Sequence, residues 1–513
     1  MKKYILILFA LTTLTMGCKK FLDEPIIGRQ NTDNYFKNEA DCQAAVIACY
    51  FGTHSDQWYE LDRSQMMGDA LSDDAFKGNS IPGDQALFGD ITRYKFDSNN
   101  EWFGFRWTTL WRGVGNCNFA IEGITKAPIA DDLKQKLIGE AKFLRAYCYF
   151  ELVKSFGGVP LVLDVPDPQA VLSVTRSSKQ QCFDQITKDL SEAAAVLPEK
   201  GTLSGDQIGR ATKGAANAYL AKAYLFTEKW ADAQKYADLV INSGQYRLEP
   251  SFSNVWSVRN RNGVESIFEF QYNADQTFNL GTALTTLTRS RADGGWGFDT
   301  PSSNLEQAFL KENDPRLKWT IIKQGDNVGA KTANFDYSNY DTKLSENESG
   351  RITRKFYLAP ADRPANELSH APLNIIQMRY ADLLLIHAEA AYRSGNEGLA
   401  LTSLNKVRER ANQLNPGTVL PRTSSGAQLL NDIWQERRLE LAMEGHRYYD
   451  LVRQHRLVQV IKDFYTYNNS TSTDLYDKGN PKGAAISEIH NLFPIPQQDI
   501  DLSKGVLTQN PGF

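Results

Sequence analysis

Histidine and cysteine are scarce, six of each in 513 residues, and neither set is spaced for a metal site. After Cys18 come Cys42, Cys49, Cys117, Cys148 and Cys182, an odd set without a Cys-x-x-Cys pair. That fits neither a disulfide framework nor a zinc site and leaves buried, unpaired thiols as the expectation. Cys42 and Cys49 lie seven apart on one helical pattern, so their Cα atoms would sit about 10 Å apart, too far for a bridge. Excess charge of one sign is also lacking. Against 61 acidic residues stand 57 basic ones, and the longest basic runs are pairs such as Lys19-Lys20 and Arg437-Arg438, so no nucleic-acid partner is expected. No HExxH, GxSxG, Walker A or GxGxxG motif occurs, and no cofactor is implied. Past residue 17 no apolar run approaches the ~20 residues that a bilayer span requires.

What is present begins at the N-terminus. Met1-Lys2-Lys3 is a basic start, and the mostly apolar run from Tyr4 to Met16 has the length of a secretory signal. It ends in LTMGC (14–18), similar to the lipobox at which bacterial lipoproteins are cleaved and acylated, with Thr15 where that pattern prefers Leu. Cys18 is therefore expected to carry palmitate-type acyl chains. Each buried CH₂ contributes ~0.8 kcal/mol, so several chains would hold the protein on a bilayer without a transmembrane helix.

The clearest internal patterns are helical. From Gly139 to Phe156 apolar residues cover most of the circumference, with Ala141, Leu144, Cys148, Leu152 and Phe156 in one stripe, which predicts a central helix. Ser178 and Gln181 form a capping-box signature ahead of Phe183, Ile186, Leu190, Ala193 and Leu197. An alanine-rich run, Thr212 to Phe226, is followed by a second helix from Trp230 to about Ile241. A similar pair recurs from Tyr380 to Tyr392 and from Leu399 to Ala411. Hairpins of about 30–34 residues resemble tetratricopeptide units, although the Trp-Leu-Gly-Tyr consensus is absent. Between them, residues 250–372 are rich in Asn, Asp, Gly, Ser and Thr, with short strand-like pieces such as 266–270, and a second polar stretch spans 54–100. Long ordered loops on a helical scaffold predict a binding face.

The polar and aromatic residues favour binding over catalysis. His387, in a run of apolar residues, reads as a packing histidine, and Asp314-Pro315-Arg316 as a turn with a structural ion pair. Asp69, Asp73 and Asp74 in MGDALSDDA could serve a glycosidase or a cation, but a helix cap and a solvated turn are the plainer expectation. Aromatics are more informative. Trp58, Tyr59, Phe88, Tyr94, Trp102, Trp107, Tyr272, Trp296, Phe298, Tyr337 and Tyr340 fall in polar stretches, and ring faces suit the apolar faces of sugars. Glycines around Trp296 in RSRADGGWGF (289–298) permit a projecting loop, with Trp296 either offered to a ligand or plugging the loop onto the scaffold. Trp107 and Trp111, at helical spacing, read as core. The candidate ligand set is Trp58, Tyr94, Trp102, Arg291, Trp296 and Phe298.

Several blocks then carry a family resemblance: CKKFLDEP (18–25), WRGVGN (111–116), GEAKFLRAYCYFELVKSFGGVPLV (139–162) and GRATKGAA (209–216). In the same order follow RYADLL (379–384) with AEA (388–390), NKVRERA (405–411), ERRLEL (436–441), EGHRYYDL (444–451), FPIP (493–496) and QNPG (509–512). The chain resembles the SusD/RagB family of outer-membrane nutrient-binding lipoproteins over nearly all of its length after the signal. The resemblance implies a mainly α fold, a tetratricopeptide-like helical hairpin scaffold with loop-rich insertions and a few short strands. It implies a signal peptide over 1–17 and one SusD-like domain over 18–513. That domain would have an N-terminal helical part to about 230, a loop-rich binding insertion at about 250–372 and a C-terminal helical part from about 373. It further implies a non-enzymatic role in polysaccharide utilisation: oligosaccharide capture at the extracellular side of the outer membrane and delivery to a SusC-like TonB-dependent transporter. The family has no fixed motif for ligand residues, so the candidate set rests on the loop aromatics alone. A peptide-binding lid of an importer, with Arg289 and Arg291 reading peptide termini, a carboxylate-dependent glycosidase and a purely structural partner of the transporter are the competing readings.

Overall fold

A computed structural model of the chain describes residues 35–54, 60–165, 167, 170–275, 277, 280–474 and 482–513. Cys18 and the expected signal lie outside the described residues, as do Trp58 and Tyr59. The N-terminal half is a run of packed helices. Glu101–Lys126 and Asp131–Phe156 are joined by a short link, and Glu39–His54 packs on both. The Asp131–Phe156 helix begins eight residues before the predicted Gly139, with Asp131 and Asp132 in its first turn, where carboxylates complement the helix dipole. Its predicted stripe is fully buried, and so are Phe143, Tyr147 and Phe150 around it, which makes it the centre of the main core.

Local sequence fixes the neighbouring helices. Ser178 Oγ accepts from Gln181 N at 3.2 Å and Gln181 Oε1 accepts from Ser178 N at 2.9 Å, so the predicted capping box opens the helix Lys179–Val196. This helix lies against Asp131–Phe156, and a Cβ on Gly139 would come 2.5 Å from Val196 Cγ2, so a larger residue there would have to displace the Val196 side chain. Thr212 caps Lys213–Phe226 by accepting from Ala215 N at 3.1 Å, and five buried alanines in that helix admit Trp230–Asn242 beside it. Trp230–Asn242 in turn packs on Tyr380–Arg393, which pairs with Glu397–Gln413 and meets Gly426–Glu440. Hairpins distant in sequence therefore stack in space, a mainly α, tetratricopeptide-like arrangement. His387 ties three of these helices together, with Nδ1 at 2.7 Å from Ser403 Oγ and Nε2 at 3.0 Å from Asp238 Oδ1, as the packing reading anticipated. The five described cysteines are buried and unpaired, and no described helix is long and apolar enough to cross a membrane.

The segment between the hairpins folds as short elements. Antiparallel pairs join Ala75–Phe76 to Thr300–Pro301, Ser266–Phe270 to Ile375–Arg379, and Ile321–Lys323 to Arg351–Thr353. Buried ion pairs fasten these pieces to the helices. Arg316 reaches Asp314 at 2.6 Å and Glu436 and Glu440 at 2.7 Å, while Arg379 reaches Glu265 and Glu444, each at 2.7 Å, and also Glu440. Arg437 joins Asp382 at 2.6 Å to Asp450 at 2.7 Å. Such charges can stay buried only because each is paired and hydrogen-bonded.

Candidate functional site

Where the loop-rich segment meets the N-terminal helices, Trp102, Trp296 and Phe298 line one cavity of about 240 Å³ with Arg63, Met66 and Leu287. Gln85 and Leu368 close its edge. Trp102 is set by the start of its helix, where the Asn100 side chain accepts from Trp102 N at 3.1 Å. Its indole stacks on Phe88 with centroids 4.3 Å apart and planes 6° apart. Phe298 meets Phe88 edge-on, and Trp296 meets Phe298 edge-on at 6.4 Å and 76°. The Arg63 guanidinium lies 5.2 Å from the Trp102 ring and 4.4 Å from that of Phe105.

The Trp296 loop is clamped rather than loose. Trp296 N donates to Thr286 O at 2.9 Å, and Gly297 N and Phe298 N donate to Arg289 O and Leu287 O, each at 2.8 Å. Gly294 and Gly297 have φ of 75° and 72°, the left-handed region that the expected glycine loop requires. Trp296 is only half-buried: it meets Phe298 edge-on while its ring also lines the cavity. Apolar ring faces with a guanidinium and the Gln85 amide beside them give the cavity both surfaces that a sugar presents.

The remaining expectations divide. Trp58 lies outside the described residues. Tyr94 is no ligand group: it is buried, its hydroxyl donates to Leu71 O and its ring packs on His490. Arg291 is held away from the cavity by ion pairs to Asp84 and, at 3.9 Å, Glu346, and Arg289 is buried against Glu367. Phe88, Trp102, Tyr272, Phe298, Tyr337 and Tyr340 are buried as well, contrary to the expectation that loop aromatics have no core to fill, and of these only Trp102 and Phe298 reach the cavity wall. The reason is that the loops fold back onto the main core, which takes in Phe88, Trp102, Tyr272 and Phe298, and also build a small core of their own. Tyr337 and Tyr340 pack with Ile322 and Ile352, and their hydroxyls donate to Asp293 at 2.7 and 3.2 Å. Trp107 is buried and Trp111 packs edge-on against it, as expected. Sequence reasoning missed Arg63, Met66, Gln85, Leu287 and Leu368, which carry no local signal and become lining only through tertiary contact.

The aspartate loop is not a solvated turn. Asp73 binds Arg447 at 2.9 Å and Arg438 at 3.0 Å, and Asp74 binds Arg438 at 2.7 Å, all inside the protein. Burial works to raise the Asp73 pKa, but the two arginines outweigh it and hold the carboxyl below its usual range. Asp69 accepts from Gly445 N at 2.9 Å, and burial, with Asp299 beside it, pushes its pKa well up. Lys482 Nζ donates to the carbonyls of Ala70, Ser72 and Ala75, so the loop is ordered by the chain's own cations. Neither Asp73 nor Asp74 lines the aromatic cavity.

Comparison with known proteins bears on the same regions. A family described as "SusD family" matches residues 264–513, and one described as "Starch-binding associating with outer membrane" matches 20–225. "SusD-like protein P2" of Formosa agariphila is 26% identical over all of this chain and all of its own length. A "SusD-like protein" of Bacteroides ovatus is 25% identical over 88% of this chain and 82% of its own. Among solved structures, a "Laminarin binding SusD-like protein" superposes with a TM-score of 0.76 at 25% identity, covering 93% of this chain and 100% of that one. "Surface glycan-binding protein A from Bacteroides thetaiotaomicron in complex with laminarihexaose" does so with 0.75 at 25%, covering 92% and 99%.

Proposed function

The chain belongs to the SusD/RagB family, and on that premise we propose that it is a cell-surface glycan-binding lipoprotein that captures oligosaccharides and delivers them to a partner TonB-dependent transporter of the outer membrane. Acyl chains on Cys18 anchor it, facing the extracellular side, and capture proceeds without bond cleavage or cofactor. The observation that carries the reading is the convergence of Trp102, Trp296 and Phe298, from two distant segments, on one cavity beside Arg63. The half-buried Trp296 ring receives the C–H face of a sugar over a floor made by Trp102 and Phe298, while the Arg63 guanidinium and the Gln85 amide meet its hydroxyls. The relatives that bind laminarin share the fold at 25% identity, so the glycan class is the shared inference and the particular sugar is this chain's own. The test is a glycan array with a peptide library as control, using soluble protein that begins just after Cys18. Saturable binding to one polysaccharide class supports the reading; binding to peptides alone replaces it with peptide import.

A further inference from the structure

A second cavity, of about 460 Å³, shares no lining residue with the aromatic one and lies between the helices Ser303–Lys311 and Gly426–Glu440. Asn304, Gln307 and Lys311 stand three and four apart and come from one face of the first helix. Gln428, Asn431 and Gln435 do the same on the second. Among the described residues, the side chains of Gln307, Asn431 and Gln435 make no hydrogen bond, so three carboxamides, each with donors and acceptors, face one space uncommitted. Trp434 lies between them, and its Nε1 is buried without a partner.

The charges of the cavity are unevenly used. Its carboxylates are engaged: Glu312 by Arg422 and, at 3.8 Å, Arg408, and Asp432 by Ser424 Oγ at 2.6 Å and Gln428 Nε2 at 2.9 Å. Arg438 and Arg447 are committed to Asp73 and Asp74. Arg456 is different. Its guanidinium sits 4.8 Å from the Trp434 ring and makes one long hydrogen bond, 3.4 Å, to Gln454 Oε1, with no carboxylate in ion-pair range among the described residues. Partial burial, with Arg447 close by, disfavours its cationic form. Lys311 also lacks a carboxylate partner among the described residues. A half-buried cation with Arg447 and Arg438 beside it, and with Asp73 and Glu389 acting on it only from beyond ion-pair range, is a place where an anion is attracted.

We propose that this cavity is a second ligand site, for a saccharide unit bearing an oxyanion, either a uronate carboxylate or a sulfate ester. The anion pairs with Arg456 and Lys311, ring hydroxyls pair with Gln307, Asn431 and Gln435, and the half-buried Trp434 ring lies beside them. The inference rests on the glycan reading for the class of ligand, but uses none of the residues that carry that reading.

The test is calorimetric titration of the soluble chain with three oligosaccharides of equal length: a uronate, a sulfated one and a neutral one. Binding of an acidic probe, weakened about tenfold or more by Arg456→Gln and unaffected by Trp296→Ala, is the expected result. Which acidic probe binds identifies the anion. Lys311→Gln, at an exposed position, should weaken the same probe and keeps the test open if Arg456→Gln fails to fold. Acidic probes that do not bind, or that bind the arginine and lysine variants as tightly as the wild type, overturn the inference. Neutral binding lost on Trp296→Ala would then leave the aromatic cavity as the glycan site, and acidic binding lost on Arg456→Gln with no binding sensitive to Trp296→Ala would leave the second cavity as that site.

Discussion

Two tryptophans that look alike in sequence have different parts in this molecule. Trp102 is 3% exposed and stacked on Phe88, so Trp102→Ala removes a core ring and should lower stability by about 3–5 kcal/mol, read from the denaturant midpoint. Any loss of ligand binding in that variant would be entangled with unfolding. Trp296 is half-buried on a loop held by backbone hydrogen bonds, so its truncation leaves the fold largely in place. Nothing in the local sequence separates the two, because both sit near glycine or asparagine and only the tertiary partner differs. Glu440 makes a similar point for charge. Its carboxylate meets Arg316, Arg379 and Arg410, and Glu440→Gln should cost about 3–5 kcal/mol by leaving three buried guanidinium groups short of a counter-ion, measured by chemical denaturation.

Among elements, those set by local rules were readable. The Ser178–Gln181 box, the Thr212 cap and the alanine-rich hairpin all stand where the pattern put them, because caps and apolar spacing are short-range physics. The first two turns of Asp131–Phe156 were missed, since their apolar residues are too sparse to extend the stripe. The loop-rich segment was legible as irregular but not as self-packed: pairings such as that of Ile321–Lys323 with Arg351–Thr353 bring together residues about thirty apart, and period alone does not report them. One wall of the aromatic cavity depends on such a distant contact. The helix Glu60–Ala70, which carries Arg63 and Met66, packs on the turn at Gly445, and a Cβ on Gly68 would come 2.1 Å from Gly445 O. Since backbone cannot swing aside as a side chain does, Gly68→Ala should cost about 1–3 kcal/mol and weaken glycan binding through displacement of that wall, measured by denaturation and titration of the same sample.

At the scale of the whole chain, buried charge makes stability depend on pH. His387, His446 and His490 all have their pKa pushed down chiefly by burial, His446 to about 3 from an ordinary 6.5. Below about pH 6.5 the unfolded chain takes up a proton that the folded one refuses, so stability present at neutral pH is lost as pH falls. Asp69 and Asp299, pushed up by burial, act in the opposite sense, because the folded chain keeps protons that the unfolded one releases. A variant therefore isolates the effect better than the wild type alone. The stability difference between wild type and His446→Gln should move in favour of the variant by about 2 kcal/mol between about pH 7.5 and pH 5. An unchanged difference would show that water at the exposed edge of the half-buried His446 ring offsets the effect of burial. Sugar capture by the aromatic cavity is tested most directly by calorimetric titration of wild type and Trp296→Ala with the oligosaccharide that binds best on the array. The account predicts saturable binding to the wild type and at least about a tenfold weaker Kd for the variant, with its unfolding midpoint nearly unmoved. Equal affinity in the two proteins would contradict it.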